Sequence, residues 1–307
     1  MKPTPIIQGI VPPVPTPFDA HGHVDADAFR RIADHLVAGG CHSAFVLGST
    51  GELSSLPPEQ RLTAIKAAAD AFLPRIPLLV GIGDPCLATS LKLAGAAADA
   101  GATAVVLNAP SYYDISSREM RACLDQLMPR IDLPVVLYNM PWLTGHSFDD
   151  DTLRHALEFP GLAGFKDSSG GLTYFANLVR IAAARPELGV LIGNDFLFCD
   201  ALKLGAHGAV PGGANLYPCL FRGLLDAFQA GHPSRARELQ ETIARLGKSI
   251  FPITGEPSSV FAAVKGGLAA LDLCQPTMLP PLTTCSPEQI SQLRHLLASI
   301  ERSAAVA

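Results

Sequence analysis

Long apolar runs, paired cysteines, an excess of one charge and lysine are all scarce in this chain of 307 residues. No uncharged stretch approaches the roughly 18 apolar residues of a membrane span. The first residues, MKPTPIIQGI, carry two prolines and no apolar core of signal-peptide length, so a soluble, cytoplasmic protein is expected. The 23 Lys and Arg against 28 Asp and Glu leave a formal charge of -5, which offers no basic field for nucleic acid or an anionic membrane. The seven cysteines are scattered and never spaced as CxxC, which argues against both a disulfide framework and a zinc site. Most are expected as small buried hydrophobes.

What is present is an alternation. Short runs rich in Val, Ile and Leu, at 6–14, 43–47, 77–82, 104–108, 134–138, 162–166, 189–192 and 209–210, are separated by Ala-rich segments of helical period. The runs are apolar without interruption, as strands covered on both faces must be, and therefore read as parallel. Helix starts are marked at 59–71, 117–128 and 150–157 by Pro57-Pro58-Glu59, Ser116-Ser117 and Asp149-Asp150. Gly40 and Gly101 stand where left-handed C-caps belong. Eight such units in a little over 200 residues predict a (β/α)8 TIM barrel. The doubly wound alternative lacks its fingerprint, since Gly81-Ile82-Gly83-Asp84-Pro85-Cys86 has no third glycine and puts a proline where an N–H is needed. Amphipathic segments at 216–230, 233–249, 257–271 and 286–302 follow, with a proline-rich break at 275–281. One closes the barrel over 1–230, and the other three predict a C-terminal helical extension over 231–307.

A TIM barrel carries its chemistry on the loops after the strands. Lys166 alone of the seven lysines ends an apolar strand; Lys66, Lys92, Lys203, Lys248 and Lys265 fall in predicted helices, where a solvated surface role is expected. In low dielectric an ammonium loses its proton readily, supplying the neutral amine that attacks a ketone. An ion pair between Lys166 and Asp167 is the competing reading, and the side chain faces either the barrel mouth or a helix. Tyr138 ends the preceding strand, placed to shuttle a proton. Gly48-Ser49-Thr50-Gly51 offers two hydroxyls and consecutive N–H groups to a carboxylate, or else caps the next helix. No other Lys or Arg sits beside a strand end, which disfavours a phosphorylated substrate. The histidines do not gather at strand ends, and no GxSxG elbow is present, so metal and serine chemistry lack support. No metal and no cofactor are expected.

Gly48-Ser49-Thr50-Gly51-Glu52, Tyr138-Asn139-Met140-Pro141 and Gly164-Phe165-Lys166-Asp167, in this order, resemble the dihydrodipicolinate synthase / N-acetylneuraminate lyase family of class I aldolases, and the resemblance covers essentially the whole chain. It implies Lys166 as the Schiff-base lysine, Tyr138 as the proton-transfer residue, and Ser49 and Thr50 as the holders of a pyruvate carboxylate. It also implies that the Val210 carbonyl lines the pyruvate pocket, and that Tyr112 is lent to a neighbouring subunit in a homo-oligomer, a dimer or tetramer. Leu143 stands where the lysine-pathway synthases place an arginine. Gly193-Asn194-Asp195 is followed by Phe196 where sialic acid lyases have a glutamate, and Gly212 replaces a serine.

These departures favour a lyase that cleaves a 2-oxo acid, of the 2-keto-3-deoxy sugar acid or 4-hydroxy-2-oxoglutarate type, to pyruvate or glyoxylate-type products and an aldehyde. The other readings are a 4-hydroxy-tetrahydrodipicolinate synthase, a keto-deoxy sugar acid dehydratase, an aldolase for an aromatic aldehyde, suggested by Trp142, Leu143 and Phe196, and a non-catalytic barrel that binds a 2-oxo acid.

Overall fold

The computed structural model describes residues 4–73 and 75–304. Eight parallel strands lie in the order β1-β8-β7-β6-β5-β4-β3-β2. They are β1 (Gly9–Ile10), β2 (Ala44–Val46), β3 (Leu78–Gly81), β4 (Ala104–Asn108), β5 (Val135–Asn139), β6 (Leu162–Asp167), β7 (Gly189–Ile192) and β8 (Gly208–Ala209). The first and second strands also meet: Phe45 N donates to the Pro12 carbonyl at 3.0 Å, and Val14 N to the Phe45 carbonyl at 2.7 Å. The sheet thus curls into a TIM barrel. β1 is much shorter than the apolar run at 6–14, because Pro12 and Pro13 have no N–H to place in a ladder.

Helices alternate with the strands: α1 (Ala26–Ala38), α2 (Pro58–Phe72), α3 (Leu87–Asp99), α4 (Ser117–Leu127), the single turn α5 (Pro141–Thr144), α6 (Asp150–Ala156), α7 (Leu172–Ala182), α8 (Phe198–Lys203) and α9 (Pro218–Gln229). Their starts follow the expected chemistry. Ser116 and Glu119 form a reciprocal capping box on α4, and the Asp149 carboxylate accepts from Thr152 N at 2.8 Å on α6. On α1, Phe29, Ile32, Ala33 and Leu36 form a buried stripe at helical spacing, each large side chain contributing roughly 1.5–3 kcal/mol.

Two apolar clusters result. The larger fills the space between strands and helices. The smaller lies inside the barrel and includes Val11, Phe45, Leu79, Val106, Val136, Tyr138, Met140, Leu191 and Val210. In the lower half of the barrel the strands approach closely where side chains are missing. A Cβ added at Gly208 would stand 2.1 Å from the Gly9 carbonyl oxygen, and one at Gly164 would stand 2.2 Å from that of Gly189.

Three further helices, α10 (Pro233–Ile250), α11 (Ser259–Ala270) and α12 (Pro287–Ala304), follow among the described residues. Sequence periodicity reads α11 as amphipathic. In the structure every residue of α11 except Val260 is buried, which its Ala and Gly content permits by giving the helix a narrow girth. Lys265, expected at a solvated surface, is therefore fully enclosed.

Candidate active site

The register of β6 decides where Lys166 points. Val135 pairs with Leu162, but Val136 pairs with Gly164, so one extra residue is accommodated at the start of the strand. Because side chains alternate, this slip brings Lys166 opposite Tyr138 on the inner face; without it Phe165 would stand there and Lys166 would face the helices. Lys166 pairs in turn with Leu191 of β7, another member of the inner cluster.

Lys166 is only 5% exposed. Its Nζ stands 3.8 Å from the centroid of the Tyr138 ring and 4.8 Å from that of Phe45. Ring faces attract a cation modestly, but the loss of water dominates. Burial lowers the Lys166 amine from its ordinary value to about 7, against the opposing pull of the Asp195 carboxylate. Burial likewise raises the Tyr138 phenol to about 12, with hydrogen bonding to Ser168 and Ser49 acting the other way. Tyr138 is thus a neutral phenol at physiological pH.

Lys166 makes no ion pair with Asp167. Asp167 points out of the inner face and accepts from Asn139 Nδ2 at 2.9 Å, Ser169 N at 3.0 Å and Ser169 Oγ at 3.0 Å. Asn139 Oδ1 accepts in turn from Ser147 Oγ and Phe148 N. This network ties the ends of β5 and β6 together and holds the loops that follow Tyr138 and Lys166.

A cleft of about 360 Å³ opens over Lys166, lined among others by Ser49, Thr50, Tyr138, Ser168, Gly193, Asp195, Val210 and Gly212. The Ser49-Thr50 turn is tightly built. Leu47 and Glu52, on either side of it, have left-handed φ values of 54° and 59°. A Cβ at Gly51 would lie 2.8 Å from Leu47 N. Thr16 Oγ1 donates to the Gly51 carbonyl at 2.6 Å. Among the described residues the N–H groups of Ser49 and Thr50 meet no acceptor, which leaves them available to an anion.

Asp195 is held with equal care: its two carboxylate oxygens accept from Gly212 N at 2.9 Å and Gly213 N at 2.8 Å. Burial raises its carboxyl to about 7, and those N–H groups pull it back. A Cβ at Gly193 would stand 2.0 Å from Ser168 Oγ, so a side chain there would displace the Ser168 hydroxyl.

Two expected residues lie elsewhere. Leu143 lines a second cleft of about 340 Å³, with Glu52, Asp84 and Asn108, on the far side of Tyr138 and Ser49. Tyr112 is 90% exposed, lines neither cleft, and has φ 87°, a strained conformation for a tyrosine. Its ring sits edge-on to Tyr113 at 5.2 Å.

The chain matches the Dihydrodipicolinate synthetase family over residues 6–300. It belongs to that family. Its similarity to the probable 2-dehydro-3-deoxy-D-pentonate aldolase YjhH of Escherichia coli (strain K12) is 30% identity over 294 residues, covering 95% of this chain and 96% of the relative. Among solved structures, dihydrodipicolinate synthase from Bacteroides thetaiotaomicron superposes with a TM-score of 0.92 at 33% identity, covering 96% of this chain and 99% of that one. YagE of E. coli K12, a prophage protein of the same family solved in complex with pyruvate, gives a TM-score of 0.90 at 27% identity, covering 96% and 99%. Family members are thus named both as aldolases and as synthases.

Sequence reasoning overlooked several residues of the cleft. Ser168 lies two positions beyond Lys166, where strand alternation puts it on the same face. Phe251, Val260 and Phe261 come from the C-terminal helices and also line the cleft, and nothing in the strand-end rule points to them. Lys265 was overlooked as well. Its Nζ donates to Glu52 Oε1 and, at 3.0 Å, to the Thr277 carbonyl, and lies 4.2 Å from the Phe18 ring centroid. Glu52 Oε2 accepts from Leu279 N at 2.8 Å. This fully buried pair fastens the turn bearing Ser49 and Thr50 to the C-terminal segment. Among the described residues no group of three His, Cys, Asp or Glu is gathered as a metal site.

Proposed function

We propose that the protein is a class I lyase, cleaving a 2-oxo acid to pyruvate and an aldehyde through a Schiff base on Lys166. The observation that carries this reading is the buried Lys166 amine, lowered to about 7 by desolvation, on the inner face opposite Tyr138. At neutral pH about half of such amines are uncharged and nucleophilic, against roughly 0.03% of ordinary lysines.

The substrate carboxylate is held by the Ser49 and Thr50 hydroxyls and N–H groups, with the Val210 carbonyl, Gly193 and Gly212 bounding the same space. Lys166 Nζ adds to the C2 ketone, and loss of water gives an iminium. Tyr138 relays the protons that this dehydration requires. Removal of the C4 hydroxyl proton then lets the C3–C4 bond break, its electron pair passing into the iminium to give an enamine as the aldehyde departs. Protonation at C3 and hydrolysis release pyruvate and restore the amine.

Asp195, whose carboxyl burial raises to about 7, lends partial negative charge to Lys166 and anchors the Gly212-Gly213 loop. Tyr112, exposed and conformationally strained, is proposed to serve the site of a second copy of the chain, as the resemblance implies. The extension at 231–307 completes the barrel at 1–230 by supplying Phe251, Val260 and Phe261 to the cleft.

Among the described residues no cationic side chain other than Lys166 lines this cleft. That favours an uncharged aldehyde half. It speaks against 4-hydroxy-2-oxoglutarate and against the aspartate semialdehyde of a 4-hydroxy-tetrahydrodipicolinate synthase, each of which brings a second carboxylate. The 2-keto-3-deoxy sugar acids meet the charge requirement, and the E. coli relative is named for one. Borohydride reduction in the presence of pyruvate is expected to add one pyruvyl group at Lys166. An unmodified Lys166, under conditions that label an established class I aldolase, would overturn the proposal.

A further inference from the structure

We infer that Glu52 and Lys265 are positioning residues for the substrate carboxylate. The buried pair holds the Ser49-Thr50 turn in its anion-binding shape, and the Lys265 ammonium cancels a charge that would otherwise oppose the substrate's own. This rests on the lyase reading above and adds two residues, neither lining the Lys166 cleft, to the account of how the 2-oxo acid is held.

The first observation is the state of the turn. Leu47 and Glu52 both hold left-handed backbone, which residues other than glycine keep only where their surroundings enforce it. Glu52 closes the turn: its N–H donates to the Ser49 carbonyl at 3.1 Å, and its own carbonyl accepts from Ser55 N at 2.9 Å. The direction of the Ser49 and Thr50 N–H groups therefore depends on where Glu52 is held.

The second observation is what holds Glu52. Its carboxylate oxygens are divided between two elements: Oε1 accepts from Lys265 Nζ of α11, and Oε2 accepts at 2.8 Å from Leu279 N, in the segment after α11. Lys265 donates to that same segment through the Thr277 carbonyl at 3.0 Å. Charge-assisted bonds of this kind fix direction as well as distance. An apolar pair of similar volume often stabilises a fold equally well, but it fixes no direction.

The third is that α11 is itself a wall of the site. Phe261, one helical turn before Lys265 and on the same face, belongs to the aromatic wall of the cleft with Trp142, Phe196 and Phe251. Its ring lies nearly parallel to that of Trp142, with 8° between planes and 6.2 Å between centroids. A Cβ at Gly267 would stand 2.6 Å from Leu216 Cδ2, so the helix lies close against the chain that follows β8. The element that bounds the far end of the cleft thus also sets its carboxylate end.

The fourth is charge. Glu52 stands two residues beyond Thr50, and both members of the pair are fully enclosed, with the Phe18 ring centroid 4.2 Å from Lys265 Nζ. An unbalanced carboxylate in such a place would act on an incoming anion with little screening.

Reductive trapping of Lys166 on the full-length protein tests the inference, with pyruvate and with pyruvamide, which presents the same ketone without the charge. Each variant is assayed at a temperature where circular dichroism shows it folded. In Lys265→Met, and in Glu52→Asp, which keeps the charge on a shorter arm, the pyruvate concentration for half-maximal trapping is expected to rise about tenfold or more. That for pyruvamide is expected to rise less than about threefold, a contrast that general loosening of the fold would not produce. Glu52→Gln/Lys265→Met, which carries neither charge, should fall between the parent and Lys265→Met for pyruvate, and it keeps the test open if the single variants fold poorly. Half-saturation by pyruvate within about twofold of the parent in the folded variants, or equal weakening of pyruvate and pyruvamide, would overturn the positioning role. If the parent traps pyruvate in that event, the lyase reading stands and only this role falls. If the parent traps none, both fall.

Discussion

Removing the Lys265 ammonium should be among the most damaging single changes outside the cleft. Lys265 and Glu52 are both fully buried, and burial holds the Glu52 carboxyl above its ordinary value and the Lys265 amine below its own. A raised carboxyl favours folding at low pH and loses that advantage as pH rises through its folded value; a lowered amine favours folding at high pH and loses it as pH falls. At neutral pH both shifts therefore count against the ionised pair: desolvation outweighs the mutual attraction of the two charges and, for Glu52, the bond from Leu279 N. Lys265→Met deletes the compensating charge and leaves a carboxylate enclosed with one N–H donor. Breaking such a pair costs about 3–5 kcal/mol, which for a chain of this length lowers Tm by about 5–8 °C.

In Glu52→Gln/Lys265→Met the amide keeps an acceptor for Leu279 N, and the Thr277 carbonyl is left unpaired at a cost of about 1–2 kcal/mol. The double variant should thus recover at least about 1 kcal/mol relative to the single one, a positive coupling in a double-mutant cycle followed by thermal and urea unfolding at pH 7. A single-variant loss below about 1 kcal/mol, as for an exposed pair, would refute the reasoning. So would a double variant less stable than Lys265→Met.

On the proposed mechanism, in which only the neutral Lys166 amine adds to the ketone, initial rates of pyruvate release should rise about tenfold per pH unit on the acid side and level off above about 7, where burial has brought its pKa. Asp195 raises the Lys166 pKa, so Asp195→Asn should move that limb to lower pH; an unmoved limb would remove Asp195 from the account. Tyr138→Phe keeps the ring beneath Lys166 Nζ and removes only the phenolic proton. It should lower kcat by about 10²–10⁴ with little change in unfolding temperature, and a kcat within threefold of the parent would end the proton-relay role.

The barrel was legible because its signal is redundant: eight apolar runs, each followed by a helical period, leave few topologies. Segment ends were read within a few residues except at β1, where Pro12 and Pro13 interrupt a run that looks continuous. Which way Lys166 points was not legible, because the answer lies in a one-residue slip between Val135 and Val136 in the pairing of β5 with β6. Periodicity within one strand carries no information about such a slip. Lys265 was misread for a different reason. A charged residue in a helical segment defaults to the surface, and only tertiary packing of the small residues around it, with Glu52 more than 200 positions earlier, turns it inward. The aromatic wall was half visible, through Trp142 and Phe196. Its other half comes from helices that no strand-end rule searches.

The bare glycine contacts in the lower barrel have a consequence for how such a scaffold diverges. At Gly164 and Gly208 even a methyl group would overlap the neighbouring strand's backbone, so these positions accept no first step toward change. The rim is different: Trp142 and Phe196 are partly exposed, and neither carries the closure of the sheet. Room for substitution is thus partitioned along the barrel axis, closed at the floor and open at the mouth, so the side chains that would meet a substrate can change without reopening the question of how to fold.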